Sequence, residues 1–398
     1  MQALMINVFQ PSLGEEEVEA VARVFADNWL GHGPRTKLFE EEFAAHIDVP
    51  AERLVFINSA TSGLFLTAEL LGLGPEDDVV LPSTSFVAAS NAIASTGARP
   101  VFCDVDPRTL NPVVEQVESA LTPRTKAVVL LHYGGYPGDV AAVAALCRER
   151  GIKLVEDAAC AVASRADGTA CGAFGDLAMW SFDSMKILVT GDGGMLYARE
   201  EALARKARLL AYHGLDQESG FTTAGRSQRW WEPNVRAFGR RVIGNDIAAA
   251  IGSVQLRRLP GFVERRREIA AMYDRLLAGC EGVALPPPLP AGHVTSHYFY
   301  WVQLDPSLRD LVAADMLEQG VYTTCRYPAL HRVPAYRAYE RELPGADAAS
   351  DRTLLLPLHQ GLADDDVRSV AAALRRAVER QAGARSQARG AGHRPTRP

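Results

Sequence analysis

The chain has 398 residues, 47% of them apolar and 23% charged, as expected of a globular protein large enough for two or three domains. A net charge of −6 points away from nucleic acid and from an anionic membrane surface, and no apolar run reaches the roughly 18 residues of a membrane span. The N-terminus has no basic patch ahead of an apolar core, so no secretory signal is expected; six scattered cysteines (103, 147, 160, 171, 280 and 325) with no C-x-x-C pair predict reduced thiols in a cytoplasmic protein.

In chain order, apolar residues recur at helical spacing over 15–28. Residues 54–57 (LVFI) read as a strand, 61–72 as a helix, 78–82 (DVVLP) as a strand, 85–97 as a helix and 100–103 as a strand. Further apolar runs follow at 126–131 (KAVVLL), 153–155 and 177–182. Strands alternating with helices predict an α/β domain with a mostly parallel sheet. A run as continuously apolar as KAVVLL predicts a strand covered on both faces. This large domain is assigned to residues 1–255.

From about Pro260 the pattern changes. A charged helix over 263–277 leads to a Pro-rich loop at 286–290, a strand-like stretch at 297–304 and a helix at 308–319. These elements predict a smaller α+β domain over 256–380. Residues 381–398 hold four arginines, no acid and no apolar period, and are expected to form a disordered basic tail with no nucleic-acid partner.

The chemistry concentrates in residues 153–196. An apolar strand ends in Glu156 and Asp157, which puts a carboxylate at the carboxyl end of a strand, where α/β sheets bind ligands. A second apolar run leads to Ser181, and Lys186 follows in a Gly-rich setting. Alone, such a lysine is a solvated surface group and such an aspartate caps a helix. No strand is followed by G-x-G-x-x-G, and Gly191–Gly194 is too compressed for that fingerprint, which argues against a dinucleotide-dependent oxidoreductase.

The EDAA strand end, the SF-x-x-x-K segment and the TGDGG turn resemble the signature of the DegT/DnrJ/EryC1/StrS sugar aminotransferases, of fold type I among pyridoxal-5′-phosphate (PLP) enzymes. The likeness runs in order through PSLGEEEVEAV, WLGHGPRTKLFEEEFA, NSATSGL, PSTSFVAASNAI, HYGGYPGD and YPALHRVPAYR, and only the end after about residue 380 lies outside it. It implies that Lys186 holds PLP as a Schiff base and serves as general base, and that Asp157 keeps the pyridine nitrogen protonated. PLP is an electron sink that the protein anchors and tunes. Thr61 and Ser62, at a helix start that favours an anion, and Ser181 would grip the phosphate. Phe86 would stack on the ring. Trp29, Leu30, His213, Arg326 and His331 resemble positions around the substrate opening. His132, in LLHYGG, reads equally as a site residue and as a satisfied interior histidine.

The sequence departs from the family at several positions. Cys160 stands where Gln or His lies near the cofactor's 3′ oxygen, and a thiol is a weak hydrogen-bonding group. Arg241 replaces an asparagine that reaches the phosphate of the other subunit, and a guanidinium binds phosphate more strongly than an amide does. Arg326 stands where members often have His before Tyr-Pro, and Ala60 replaces a glycine. The resemblance implies a homodimer with shared active sites. The implied reaction moves an amino group from glutamate or glutamine to a keto-sugar, with a nucleotide-linked keto-deoxysugar leading. The alternatives are a keto-cyclitol or a free or phosphorylated keto-sugar of aminocyclitol antibiotic pathways, and a PLP-binding sensor that is not an enzyme. A PLP-dependent dehydratase is disfavoured because that branch replaces the lysine with His.

Overall fold

The computed structural model describes residues 5–216 and 231–391. Its central sheet is built from β1 (Leu54–Ile57), β2 (Asp78–Pro82), β3 (Arg99–Cys103), β4 (Thr125–Leu131), β5 (Lys153–Asp157), β6 (Leu177–Ser181) and β7 (Gly194–Ala198). In space their order is β1-β7-β6-β5-β4-β2-β3, and all pairs are parallel except the two made by β7. The mostly parallel α/β expectation therefore holds.

Side chains on a strand alternate between faces, and the core divides accordingly. Val79, Ala127, Val129, Leu131 and Val155 join one cluster. It includes residues of α2 (Pro34–Ile47), α3 (Ala60–Leu70), α4 (Val87–Ala94) and α7 (Glu201–Ala211). Val80, Val128, Leu130 and Leu154 join another, with α5 (Val114–Ala120) and α6 (Val140–Arg150). Helices on both faces explain why KAVVLL reads as an unbroken apolar run. Each such buried side chain contributes about 1.5–3 kcal/mol.

The chain after β7 departs from expectation in two places. The sequence pattern breaks at Pro260, yet one helix, α8 (Asp246–Leu277), runs through that proline. Asn245 starts it by accepting from Ala248 N at 3.0 Å. Proline costs a helix interior a hydrogen bond. Here burial overrides that cost, because Leu259 and Phe262 pack into the large core while Ile269, Tyr273 and Leu277 pack into a second one. That second core gathers β8 (Tyr300–Gln303), β9 (Thr353–Leu356), which pairs antiparallel with β8, α9 (Pro306–Glu318) and α11 (Asp364–Ala391); α10 (Pro344–Arg352) leads into β9. The second correction concerns the expected tail. Residues 381–391 continue α11, with Gln381 donating to Asp315 at 3.3 Å and Arg385 to Asp305 at 3.1 Å; residues 392–398 lie outside the described residues. Gln381 thus finds an acceptor on α9, and Arg385 finds one at its N-cap. α1 (Glu15–Ala26) packs on α8 at the other end of the chain. Among the described residues, no helix is long and apolar enough to cross a membrane.

Candidate active site

The carboxyl ends of the parallel strands converge, as the fold class requires. β5 ends on Asp157, which pairs in register with Leu131 of β4 and Met179 of β6. β6 ends on Ser181, and the loop beyond it carries Lys186, fixed by a turn in which Lys186 N donates to Asp183 O at 2.9 Å. β1 leads into α3, whose N-cap is Ser59; its Oγ accepts from Ser62 N at 3.1 Å and lies 3.0 Å from Ser62 Oγ. Gly194 faces both Ser181 and Ile57 across the sheet. A Cβ there would lie 2.6 Å from Ala60 N. Only glycine lets the start of α3 sit this close to the strand ends.

Lys186 is half-buried, with its Nζ 4.6 Å from the Tyr298 ring centroid and 4.0 Å from Cys160 Sγ. Burial opposes its charge, but Cys160, Tyr298 and Asp157 outweigh that and hold the ammonium above the usual lysine range. Asp157 is 3% exposed. Its Oδ1 accepts from Ala159 N at 3.1 Å, and among the described residues no hydrogen bond reaches its other oxygen. Burial raises its pKa, and the Ala159 N–H, Lys186 and His132 pull the other way. Cys160 is buried, with Sγ 3.7 Å from Tyr327 Oη. Burial pushes its thiol pKa up, and the charge of Lys186 pulls it down.

Phe86 remains extended as the N-cap of α4 rather than joining the helix expected over 85–97. Its ring is 44% exposed and lies 5.6 Å from that of Tyr327, leaving an open aromatic face. Thr61 is exposed and Ser62 half-buried in the first turn of α3, and Ser181 Oγ accepts only weakly, from Asp183 N at 3.4 Å.

His132 is an interior residue. Its Nε2 lies 2.9 Å from Glu156 Oε2 and its Nδ1 3.1 Å from Pro137 O. Both partners are acceptors, so both ring nitrogens donate and the ring is an imidazolium. Burial opposes that charge; Cys171 and Glu156 outweigh it and hold His132 well above the histidine range. His331 also differs from expectation. Instead of lining an opening it is 4% exposed, with Nδ1 2.7 Å from Ser83 Oγ and Nε2 3.1 Å from Asp347 Oδ1. It ties the end of β2 to the segment carrying Arg326 and Tyr327, and both ring nitrogens are occupied.

The remaining candidates are scattered. Trp29, on the α1–α2 connection, donates to His32 O at 3.0 Å, and Leu30 beside it is 44% exposed. Arg241 stacks on Tyr212 at 5.3 Å, and the His213 ring lies 5.6 Å from the same tyrosine. Among the described residues, no hydrogen bond, ion pair or ring contact joins these four to Lys186. Arg229 and Trp230, which open the RWWEPNVRAFGRR stretch that ends at Arg241, fall outside the described residues. Arg326 does reach the cluster: its Nη2 is 3.7 Å from Sδ of Met185, the neighbour of Lys186. Sequence reasoning missed Ser59, Tyr298, Tyr327 and Phe9, whose ring stacks on Tyr298 at 5.7 Å. Tyr298 sits in an aromatic run that reads as strand core, and only Ser59, just before a helix, carried a recognisable cap signal.

The DegT/DnrJ/EryC1/StrS aminotransferase family matches residues 11–375. The dTDP-4-dehydro-2,3,6-trideoxy-D-glucose 4-aminotransferase of Saccharopolyspora spinosa is 64% identical over 385 residues, covering 97% of this chain and 100% of that one. The spore coat polysaccharide biosynthesis protein SpsC of Bacillus subtilis is 35% identical, covering 93% of this chain and 96% of that one. The crystal structure of the aminotransferase TlmJ from Streptoalloteichus hindustanus is 61% identical, covers 94% of this chain and 99% of that one, and superposes with a TM-score of 0.90. With a family match spanning nearly its whole length, the chain belongs to the DegT/DnrJ/EryC1/StrS aminotransferase family.

Proposed function

We propose that this protein is a PLP-dependent aminotransferase that moves nitrogen from glutamate or glutamine to a nucleotide-linked keto-deoxysugar, with carbon 4 of a 4-keto-2,3,6-trideoxyhexose as the acceptor. The observation that carries the reading is the closeness of Lys186 and Asp157, an amine that interacts electrostatically with a buried carboxylate having one oxygen unengaged among the described residues. The 64% identity to a sugar 4-aminotransferase over 97% of the chain supports the acceptor.

The residues fit the cofactor. Asp157 offers a buried anion to a protonated ring nitrogen. The first turn of α3 offers backbone N–H groups and the positive end of a helix dipole to a phosphate, with Thr61, Ser62 and Ser181 as hydroxyl donors. Phe86 offers an open ring face. Cys160 is close enough to Lys186 to touch the ring edge, where a thiol gives only a weak contact. PLP, when bound, supplies an electron sink. Lys186 would hold it covalently and, once displaced by the donor, its Nζ would carry the proton leaving the donor Cα. Tyr298 and Phe9 wall the site beside that amine and exclude water.

Arg241 is exposed and without an ion-pair partner among the described residues, which leaves it available to an anion held by a second copy. We read it as acting on the partner's phosphate within a homodimer. Active enzyme that scatters light as a monomer would remove this role.

The test is spectroscopic. Protein reconstituted with PLP should show the near-visible band of lysine-bound cofactor; glutamate or glutamine should bleach it, and the dTDP-linked 4-keto sugar should restore it. Absence of the band would end the PLP reading. Restoration by a keto-cyclitol but not by the sugar would move the acceptor to that class. Asp157→Ala should retain cofactor more weakly and turn over about 10- to 100-fold more slowly, the size of one hydrogen bond to a charged group. Cofactor affinity and kcat equal to the parent's would refute the ring-nitrogen assignment.

A further inference from the structure

Many of the described arginines are held by oxygen acceptors. Arg99, Arg208, Arg258 and Arg332 grip carboxylates, and the fully buried Arg266 donates to three backbone carbonyls and Gln360. Arg326 is not among them, although it lies beside the lysine. Its guanidinium is half-buried, lies 5.1 Å over the Phe9 ring, and has as its one hydrogen-bond contact the Met185 thioether at 3.7 Å, a weak acceptor. Among the described residues, no oxygen accepts from it. A guanidinium carries five donors in a rigid fork, so leaving them without acceptors is costly unless water or a ligand takes them.

Its surroundings fix where such a ligand would lie. Met185 adjoins Lys186 in the chain. Phe9, beneath the guanidinium, stacks on Tyr298, the ring that Lys186 Nζ faces at 4.6 Å. The positive charge of Arg326 also acts on Tyr298 and Cys160, the two side chains flanking that amine. Its backbone is anchored by Tyr133, whose hydroxyl donates to the Arg326 carbonyl. A half-buried fork with an anchored backbone therefore stands near the amine that the amino donor would displace.

We infer that Arg326 binds the α-carboxylate of the amino donor, an assignment that rests on the aminotransferase reading. Chemistry separates this from the other anion of the reaction. The donor carboxylate is bonded to the same carbon as the reacting nitrogen, so its partner must stand within a few ångströms of Lys186. The phosphates of a nucleotide-linked sugar aminated at carbon 4 are a pyranose ring away from the reacting carbon. A planar carboxylate also matches the fork in two parallel hydrogen bonds.

The experiment compares L-glutamate with its α-amide, L-isoglutamine, in the half-reaction that bleaches the cofactor band. Wild type should favour glutamate by about 10- to 100-fold, the worth of hydrogen bonds to a charged partner. R326Q should lose that preference by raising the donor concentration at half-saturation, while saturation by the keto-sugar stays as in wild type. R326K, which keeps the charge without the fork, should fall between. Calorimetric titration with 2-methylglutamate, which has no Cα proton to surrender, should show the same loss of affinity without turnover. Donor saturation unchanged in R326Q, or a defect confined to the keto-sugar, would overturn the assignment; the second result would give the arginine to the sugar's phosphates. Wild-type enzyme that takes nitrogen from neither glutamate nor glutamine refutes the aminotransferase reading itself, and this inference falls with it.

Discussion

Lys186→Ala should abolish the near-visible band of lysine-bound cofactor and slow transamination by roughly 10^2- to 10^4-fold, the range supplied by a positioned general base. The fold should survive. Lys186 lies in a loop, forms no ion pair among the described residues, and would forfeit mainly its contact with the Tyr298 ring, worth about 0.5–2 kcal/mol. Cofactor should still bind, because Asp157 and the first turn of α3 are untouched, but it should wash out on dialysis. Lys186→Arg makes the sharper control. It keeps a cation over Tyr298 but cannot lose its proton or form the covalent link, so it should be as inactive as alanine. The measurements are an absorbance spectrum and single-turnover bleaching by the donor. Turnover by either variant within tenfold of wild type would show that another group moves the proton.

The parts of this protein legible in its sequence are those where one local rule dominates. β1 and β2 match their expected bounds because their apolar runs, LVFI and VVLP, stop at the polar Asn58 and Ser83. Lys186 and Asp157 stand out because a strand end and a Gly-rich turn carry them to the same edge of the sheet. Legibility fails where distant residues decide. Pro260 marks a helix break by local propensity, yet two separate cores hold α8 through it. Gln381 and Arg385 look like part of a solvated tail until Asp315 of α9 and its N-cap Asp305 accept from them. His331 belongs to a motif that reads as substrate-facing, and only the approach of Ser83 and Asp347 shows it to be a buried strut. Tyr298 and Phe9 reach Lys186 from opposite ends of the chain, a juxtaposition that periodicity does not encode.

Glu156 is where the largest loss of stability is expected. Its neighbour Asp157 faces the site, and by strand alternation Glu156 faces the opposite side of the sheet. There its fully buried carboxylate accepts four hydrogen bonds: Gly172 N at 2.6 Å and His132 Nε2 at 2.9 Å on one oxygen, Phe174 N at 2.7 Å and Gly175 N at 2.6 Å on the other. Each oxygen accepts twice, so glutamine fails in either orientation, because its NH2 must meet at least one backbone N–H donor. Glu156→Gln should destabilise the protein by about 3–5 kcal/mol, and Glu156→Ala, which strands three buried backbone N–H groups, by at least as much. The charge matters as well as the bonds. His132 has a folded-state pKa raised above its unfolded value. Its contribution is therefore complete below the unfolded histidine value near 6.5, and it is lost as pH climbs through the raised folded value. Wild type should weaken on the alkaline side for this reason. Glu156→Gln removes one source of the raised value, so its stability should vary less over the same range. Urea denaturation midpoints at several pH values test both claims. A variant as stable as wild type would show that the 172–175 loop does not depend on this carboxylate. A destabilised variant with an unchanged alkaline slope would show that Glu156 is not what sustains the imidazolium.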